Sequence, residues 1–212
     1  MRTPDVGISR EGLPLILFSA FATLVLASLD WDIPAFVLLL GTFCVFHFFR
    51  DPERYPPTGP GLAVSPADGR ILSVEQRPDP ASDELRTRIS IFMNVFDVHV
   101  NRSPVQGMVE KITYYPGRFL NASLDKASRD NERNVFLISD QEGRQLVMVQ
   151  IAGLVARRIV CHAEPGDPVR RGQRLGLIKF GSRVDLYLPP GYTVKVQTGD
   201  KVFAGQTIVA AA

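Results

Sequence analysis

Lys179-Phe180-Gly181-Ser182-Arg183-Val184-Asp185 lies between two apolar, strand-like runs, Leu175 to Phe180 and Val184 to Leu188. A Gly-Ser pair at such a joint serves as a hairpin turn. It also sets a hydroxyl beside its own amide. The Ser182 Oγ can attack the preceding Gly181 carbonyl and turn the amide into an ester. Glycine offers that carbonyl with no Cβ to block the approach or forbid strained dihedrals. The accompanying residues decide between a turn and a reactive bond.

On both sides of this stretch the chain reads as short β-branched runs separated by turn residues. They fall at Arg70 to Gln76, Arg86 to Met93, Val95 to Val100, Gly107 to Tyr115, Asn134 to Ser139, Gln145 to Ile151 and Arg157 to Cys161. Further runs follow at Arg174 to Phe180, Val184 to Leu188, Thr193 to Val196 and Gln206 to Ala210. This spacing predicts a mostly β sandwich or barrel with few short helices. Helical periodicity is confined to Ser123 to Asn134. Gly166-Asp-Pro-Val-Arg-Arg-Gly172-Gln-Arg-Leu and Gly199-Asp-Lys-Val-Phe-Ala-Gly205-Gln-Thr-Ile repeat one pattern, 33 residues apart. The pattern is like the hairpins of biotinyl and lipoyl carrier domains, and it predicts a pseudo-symmetric sandwich of duplicated hairpins with Gly181-Ser182 between them.

The N-terminal fifth is different. Leu13 to Leu29 and Ile33 to Phe49 are apolar runs of 17 residues, each without a charge. As helices they reach about 25 Å, slightly short of a ~30 Å hydrocarbon core. Asp30-Trp31-Asp32 separates them, and Arg2 and Arg10 flank one end while Arg50 and Arg54 flank the other. The positive-inside rule then puts both ends, and all that follows, in the cytoplasm at the cell membrane. A cleaved signal peptide and a hairpin lying in one leaflet are the competing readings. Asp51 to Gly61 carries four prolines in 11 residues and reads as a stiff linker. The expected division is therefore a hydrophobic helical hairpin at 1–50, a linker at 51–61 and one domain at 62–212. A net charge of +2 gives no reason to expect nucleic acid, and Cys44 and Cys161 form no disulfide pattern.

Two further stretches can carry chemistry. In a strand over Val95 to Val100, Phe96, Val98 and Val100 share one face while Asp97, His99 and Asn101 share the other, placing a histidine among polar partners. Ser65-Pro66-Ala67-Asp68-Gly69 is a turn whose carboxylate can orient a histidine, as in a Ser-His-Asp arrangement. His162, beside Cys161 and Glu164, has no third ligand at a useful spacing for a metal.

These residues carry a resemblance. Phe48-Phe49-Arg50-Asp51-Pro52, Ser65-Pro66-Ala67-Asp68-Gly69, Phe96-Asp97-Val98-His99-Val100-Asn101-Arg102, Asn131-Glu132-Arg133 and Phe180-Gly181-Ser182 occur in the order found in short-form phosphatidylserine decarboxylases. Those are lyases of phospholipid biosynthesis that form phosphatidylethanolamine. The chain departs from longer members in having Phe180 and Arg183 around Gly-Ser, where they carry Leu-Gly-Ser-Thr. It also has Phe96 where they have a second histidine.

The resemblance implies a zymogen that cuts itself autocatalytically between Gly181 and Ser182, with Asp68, His99 and Ser182 as the driving triad. Ser182 would become a covalent pyruvoyl cofactor heading a small chain, 182–212, that stays with the large chain, 1–181, as a heterodimer or part of a higher oligomer. That group would form a Schiff base with the serine amine of the lipid and accept the carbanion left by CO₂. Arg157, Arg158 and Asn121 are candidate ligands for the lipid phosphate, with Asn131-Glu132-Arg133 a weaker set. Two other functions remain open at this point. One is a membrane-tethered, carrier-like adaptor, although neither repeat shows a modifiable lysine at a hairpin tip. The other is a serine hydrolase using Asp68, His99 and Ser182 on an external substrate without self-cleavage.

Overall fold

The computed structural model describes residues 7–124, 127–154, 158–179 and 181–212, so Arg157 and Phe180 lie outside the described residues. The chain forms two compact units, Met1–Glu53 and Arg54–Ala212.

In the first unit a 3-10 turn (Arg10–Gly12) leads into α1 (Leu13–Ser28), and α2 (Asp32–Phe48) returns. Arg10–Ser28 is long and apolar enough to cross a membrane, and α2 is a shorter apolar helix. Asp30 takes a left-handed φ of 58°, which ends α1 and which a short polar side chain tolerates. The two ends of the hairpin meet in an antiparallel bridge between Ile8 and Arg50. The helices pack on each other, yet Leu17, Phe18, Phe21 and Leu24 on α1 and Ile33, Phe36, Val37 and Phe43 on α2 remain exposed. Helices apolar on every side suit a hydrocarbon surrounding better than water.

The second unit is built from β1 (Leu62–Val64), β2 (Gly69–Pro78), β3 (Leu85–Met93), β4 (Val100–Arg102), β5 (Gly107–Tyr115), α3 (Ala127–Asp130), β6 (Arg133–Asp140), β7 (Gln145–Ala152), β8 (Ile159–Cys161), β9 (Pro168–Val169), β10 (Arg174–Ile178), β11 (Ser182–Leu188), β12 (Thr193–Val194), β13 (Lys201–Val202) and β14 (Ile208–Ala211). Eight strands form one curled half-barrel sheet in the order β13-β2-β3-β11-β7-β6-β5-β9, and β1-β14-β12 and β4-β10-β8 form two small sheets. Alternation sorts the faces of β11. Val184, Leu186 and Leu188 enter the main core with Ile89, Ile91 and Met148. Tyr187 joins Val147, Val149, Ile151 and Ala127 in a second cluster on the opposite face.

The sheet order is palindromic in structure. β13-β2-β3-β11 matches β9-β5-β6-β7, and β1-β14-β12 matches β4-β10-β8. The repeated Gly-Asp pairs lead into β9 and β13, the Gly-Gln pairs lie in the β9–β10 and β13–β14 turns, and Gly172 and Gly205 stand against each other. A second echo appears only in the fold, in Ser65-Pro66-x-x-Gly69 and Ser103-Pro104-x-x-Gly107. In each, the Ser Oγ donates to the carbonyl two residues on, Ala67 at 2.6 Å and Val105 at 2.7 Å. In each, the Ser carbonyl accepts the glycine amide of the other motif, Gly205 on Ser65 and Gly172 on Ser103, both at 2.8 Å. One half, β4 to β10, is continuous and is inserted between β3 and β11 of the other. The β6–β7 hairpin closes at Ser139 opposite Gln145, whereas its counterpart ends open, at Met93 opposite Ser182.

Two sequence expectations need correction. Val95 to Val100 is no strand. The Asn94 Oδ1 accepts the Phe96 amide and Asp97 Oδ2 accepts the Asn94 amide, closing a tight turn that competes with strand pairing. Instead of lying on a polar face beside Asp97, His99 is buried. Helix within Ser123 to Asn134 is limited, among the described residues, to the single turn of α3.

Candidate functional site

The site lies where the hairpin is open. Ser182 is the first residue of β11 and is flanked on one side by Met93 of β3 and on the other by Ala152 of β7. Both neighbours shield it, and Ser182 is fully buried with its Oγ donating to the Met93 Sδ at 3.3 Å. The Asn101 side-chain amide also points at that sulfur, at 3.6 Å, and accepts from Gln150 Nε2 at 2.7 Å. Gly181 has a left-handed φ of 64°. That conformation is open to glycine and strained for most other residues.

His99 sits on the other side of the same opening. Its Nδ1 is 2.9 Å from the Asp97 carbonyl, and its Nε2 accepts the Gly181 amide at 3.2 Å. A nitrogen facing a carbonyl must carry the proton, and one receiving an N–H must be bare. Both contacts therefore assign the same tautomer, with the Nε2 lone pair directed at the Gly181 N–H, one peptide before the Gly181-Ser182 bond.

The Gly181 carbonyl is held close to Gly153. A Cβ on Gly153 would overlap that oxygen and would stand 3.4 Å from the Ala122 Cβ. The segment carrying Ala122 is tied down by buried Asn131, which donates to the Leu120 carbonyl at 2.8 Å and the Ala152 carbonyl at 2.7 Å. Asn131 thus acts as a brace. Asn121 Oδ1 accepts the Ser123 amide and hydroxyl, so this candidate ligand caps its own turn. Arg158 is exposed, and its carbonyl receives the Lys179 amide at 3.2 Å.

Asp68 closes the turn into β2. Its Oδ2 pairs with Arg54 Nη2 at 2.8 Å, and its Oδ1 accepts the Ala204 amide at 2.7 Å. The symmetry-related turn carries exposed Gln106 at this position, so the turn itself does not require a carboxylate. Arg70, Phe92 and Arg183 stand in register across β2, β3 and β11. Asp68 is thereby at the same end of the sheet as Ser182, two strands and about 10 Å across. The structure brings the His99 ring onto the Gly181 amide, next to the Gly181-Ser182 bond, and places Asp68 at the same end, held by Arg54 and Ala204.

On the opposite face the side chain after Ser182 is anchored. Buried Arg183 donates to Asp185 through Nε at 2.6 Å and Nη2 at 2.8 Å, and to Ser128 at 2.9 Å and Ser90 at 3.2 Å. Arg88 Nη1 stands 3.7 Å from Asp185 and its Nη2 pairs with Glu75. Met93, Gly153 and Arg183 were missed as site residues in the sequence. A methionine and a glycine give no local signal, and strand alternation shows which side Arg183 faces but not what it meets.

Comparisons with known proteins agree with this geometry. The sequence profile described as phosphatidylserine decarboxylase matches residues 42–210. A phosphatidylserine decarboxylase proenzyme of Nitratidesulfovibrio vulgaris is 58% identical over 210 residues, covering 99% of this chain and 97% of that protein. One from Oleidesulfovibrio alaskensis is 58% identical over 212 residues, covering 100% and 97%. One from Nitrosomonas eutropha is 52% identical over 210 residues, covering 98% and 96%. With similarity of that extent running through the Gly181-Ser182 junction and its surroundings, the chain belongs to the phosphatidylserine decarboxylase family.

Proposed function

We propose that this protein decarboxylates phosphatidylserine to phosphatidylethanolamine and CO₂, using a pyruvoyl group that it makes from its own Ser182. The observation that carries this reading is the buried His99 ring seated on the Gly181 N–H, its bare Nε2 one residue from the Ser182 hydroxyl. Ser182 is buried, so its nearest electrophile is the carbonyl of its own chain, which favours self-cleavage over attack on an external substrate.

In the first step His99 Nε2 takes the Ser182 hydroxyl proton, and Oγ adds to the Gly181 carbonyl carbon. The C–N bond breaks, leaving an ester and a free amine at position 182. Loss of the α-proton expels the Gly181 carboxylate and leaves a dehydroalanine. Its imine tautomer reacts with water, releases ammonia and becomes the pyruvoyl. The product is no larger than the serine it replaces, so the space between Met93 and Ala152 that Ser182 fills accommodates it. Asp68 supports His99 from the same end of the sheet.

The pyruvoyl supplies an electron sink for the carbanion left by departing CO₂. The surrounding chain orients it: β3 and β7 hold position 182 from both sides, and His99 can return a proton to the substrate α-carbon. Arg158, Asn121 and Arg157 remain candidates for the lipid phosphate. The apolar hairpin, flanked by Arg10 and Arg50, would hold the domain at the cytoplasmic face of the cell membrane.

The test is intact mass of the purified protein with a phosphatidylserine assay. The expected result is a 181-residue chain and a chain of 212 − 181 = 31 residues blocked by a pyruvoyl. Ser182→Ala and His99→Ala should remain single, inactive chains, and Asp68→Asn should mature at least tenfold more slowly. An active wild-type protein of one uncut chain would refute the reading.

A further inference from the structure

Three loops surround the Gly181-Ser182 junction, and each puts a large apolar side chain into solvent. The turn before His99 carries Phe96, 73% exposed, and Val95, 47% exposed. The residue after Gly153 is Leu154, 67% exposed, and the Ala122 segment carries Leu124, 44% exposed. The backbone of each loop is tied to the site within a few residues. Asp97 holds the His99 ring, Gly153 stands against the Gly181 carbonyl, and the Leu124 carbonyl accepts Arg183 Nη1 at 3.4 Å. The Phe96 tip is also presented by a defined turn, since its own amide is held by Asn94 Oδ1 at 2.8 Å.

We propose that Phe96, Leu154 and Leu124 form a lip that enters the outer part of an anionic lipid bilayer around the mouth of the site. This inference rests on the phosphatidylserine reading and adds how the substrate is reached. The serine headgroup stands at the bilayer surface while its acyl chains lie below it. An enzyme that acts on the headgroup must bring position 182 to that surface without extracting the lipid. Separate apolar tips around a polar centre meet this need, because each tip displaces headgroups while the centre stays at headgroup depth. Exposed Arg118 and Arg158, which lie in the chain segments that carry Leu124 and Leu154, complement the negative surface of phosphatidylserine membranes. A protein partner would ask for a continuous apolar patch, whereas these tips come from three separate loops.

The test uses the full-length protein. In a Trp31→Phe background, which removes the only tryptophan, Phe96→Trp becomes a single reporter. Adding vesicles of phosphatidylserine and phosphatidylcholine should shift its emission to the blue and make it quenchable by lipids brominated near the glycerol end of the chains. In parallel, Phe96→Ser/Leu154→Ser should lose about tenfold in kcat/KM on vesicle phosphatidylserine and keep wild-type kcat/KM on a soluble short-chain phosphatidylserine. Equal losses on both substrates, or no loss on vesicles, would overturn the proposal. So would an emission shift that follows protein concentration without vesicles, since the tips would then join copies of the chain. A vesicle-dependent shift in a protein that decarboxylates neither substrate would keep the lip and remove the substrate assignment.

Discussion

Nε2 of His99 receives the Gly181 amide at 3.2 Å, one residue short of the hydroxyl that it is proposed to deprotonate. The Ser182 hydroxyl meanwhile donates to the Met93 sulfur. Thioether sulfur is a weak acceptor, so freeing the hydroxyl costs little. Met93→Leu conserves volume and should cost less than about 1.5 kcal/mol of stability. It also removes the acceptor that holds the hydroxyl away from His99. Precursor half-life, followed on denaturing gels after synthesis, should shorten several-fold; a longer half-life would mean that the sulfur positions the hydroxyl for attack.

Gly153 leaves space that the Gly181 carbonyl fills. Gly153→Ala forces a methyl against that oxygen or moves the β7 end away from it. Overpacking of this kind costs about 1–3 kcal/mol, and a similar loss at the reacting carbonyl slows cleavage roughly tenfold to a hundredfold. Intact mass over time would show the uncut chain accumulating while circular dichroism keeps the β spectrum.

Arg183 and Asp185 form a buried pair whose charges compensate each other. Removing Arg183 takes the close pair from Asp185 and leaves it with Arg88, at 3.7 Å, which costs up to about 3–5 kcal/mol. Arg183→Met should therefore lower the melting temperature by on the order of 10 °C. Arg183→Met/Asp185→Leu should recover most of the loss, because Arg88 keeps its pair with Glu75 and no unpaired charge remains. Calorimetry of all three variants, each also carrying Ser182→Ala to fix the uncut state, decides it.

A second polar cluster sets a pH dependence. Burial works against the Asp140 charge, but hydrogen bonds from Arg144, Tyr192 and the Glu142 amide outweigh it and hold the carboxyl below its usual value. Burial, with Asp140 next to it, pushes the Tyr192 hydroxyl up to about 12. The depressed carboxyl contributes stability above about pH 4 that is lost as pH falls through the folded value. The raised phenol contributes stability below about pH 10 that is lost as pH rises toward 12. Asp140→Asn should thus reduce the melting temperature at pH 7 and converge with wild type in acid. Tyr192→Phe should converge with wild type as pH rises between 10 and 12.

Much of this was legible in the sequence because period-two alternation and turn residues are local signals. β5, β7 and β11 fall where Gly107 to Tyr115, Gln145 to Ile151 and Val184 to Leu188 predict them. The apolar runs likewise give α1 and α2. The strand assigned to Val95 to Val100 failed because Asn94 and Asp97 side chains capture backbone amides that a strand would need. His99 was still identified, but through its motif and not through the face it was expected to occupy. The second echo, Ser65-Pro66 against Ser103-Pro104, went unread because two residues and a glycine are too short to stand out. Its meaning lies in hydrogen bonds to Gly205 and Gly172, more than a hundred and almost seventy residues away. Met93 and Gly153 likewise act through neighbours that only the folded sheet supplies.

β11 is paired along both edges, with β3 on one side and β7 on the other. A cut just before it would turn an interior strand of the sheet into the beginning of a separate molecule. Such a piece cannot be exchanged, replaced or repaired without opening the sheet. Each enzyme molecule would then carry one prosthetic group for life, and chemical damage to that group would retire the whole protein. Unfolding would be equally final. The precursor folds as one chain, but the matured pair would have to find each other again in solution, so recovery from denaturant should depend on concentration after maturation and be independent of it before.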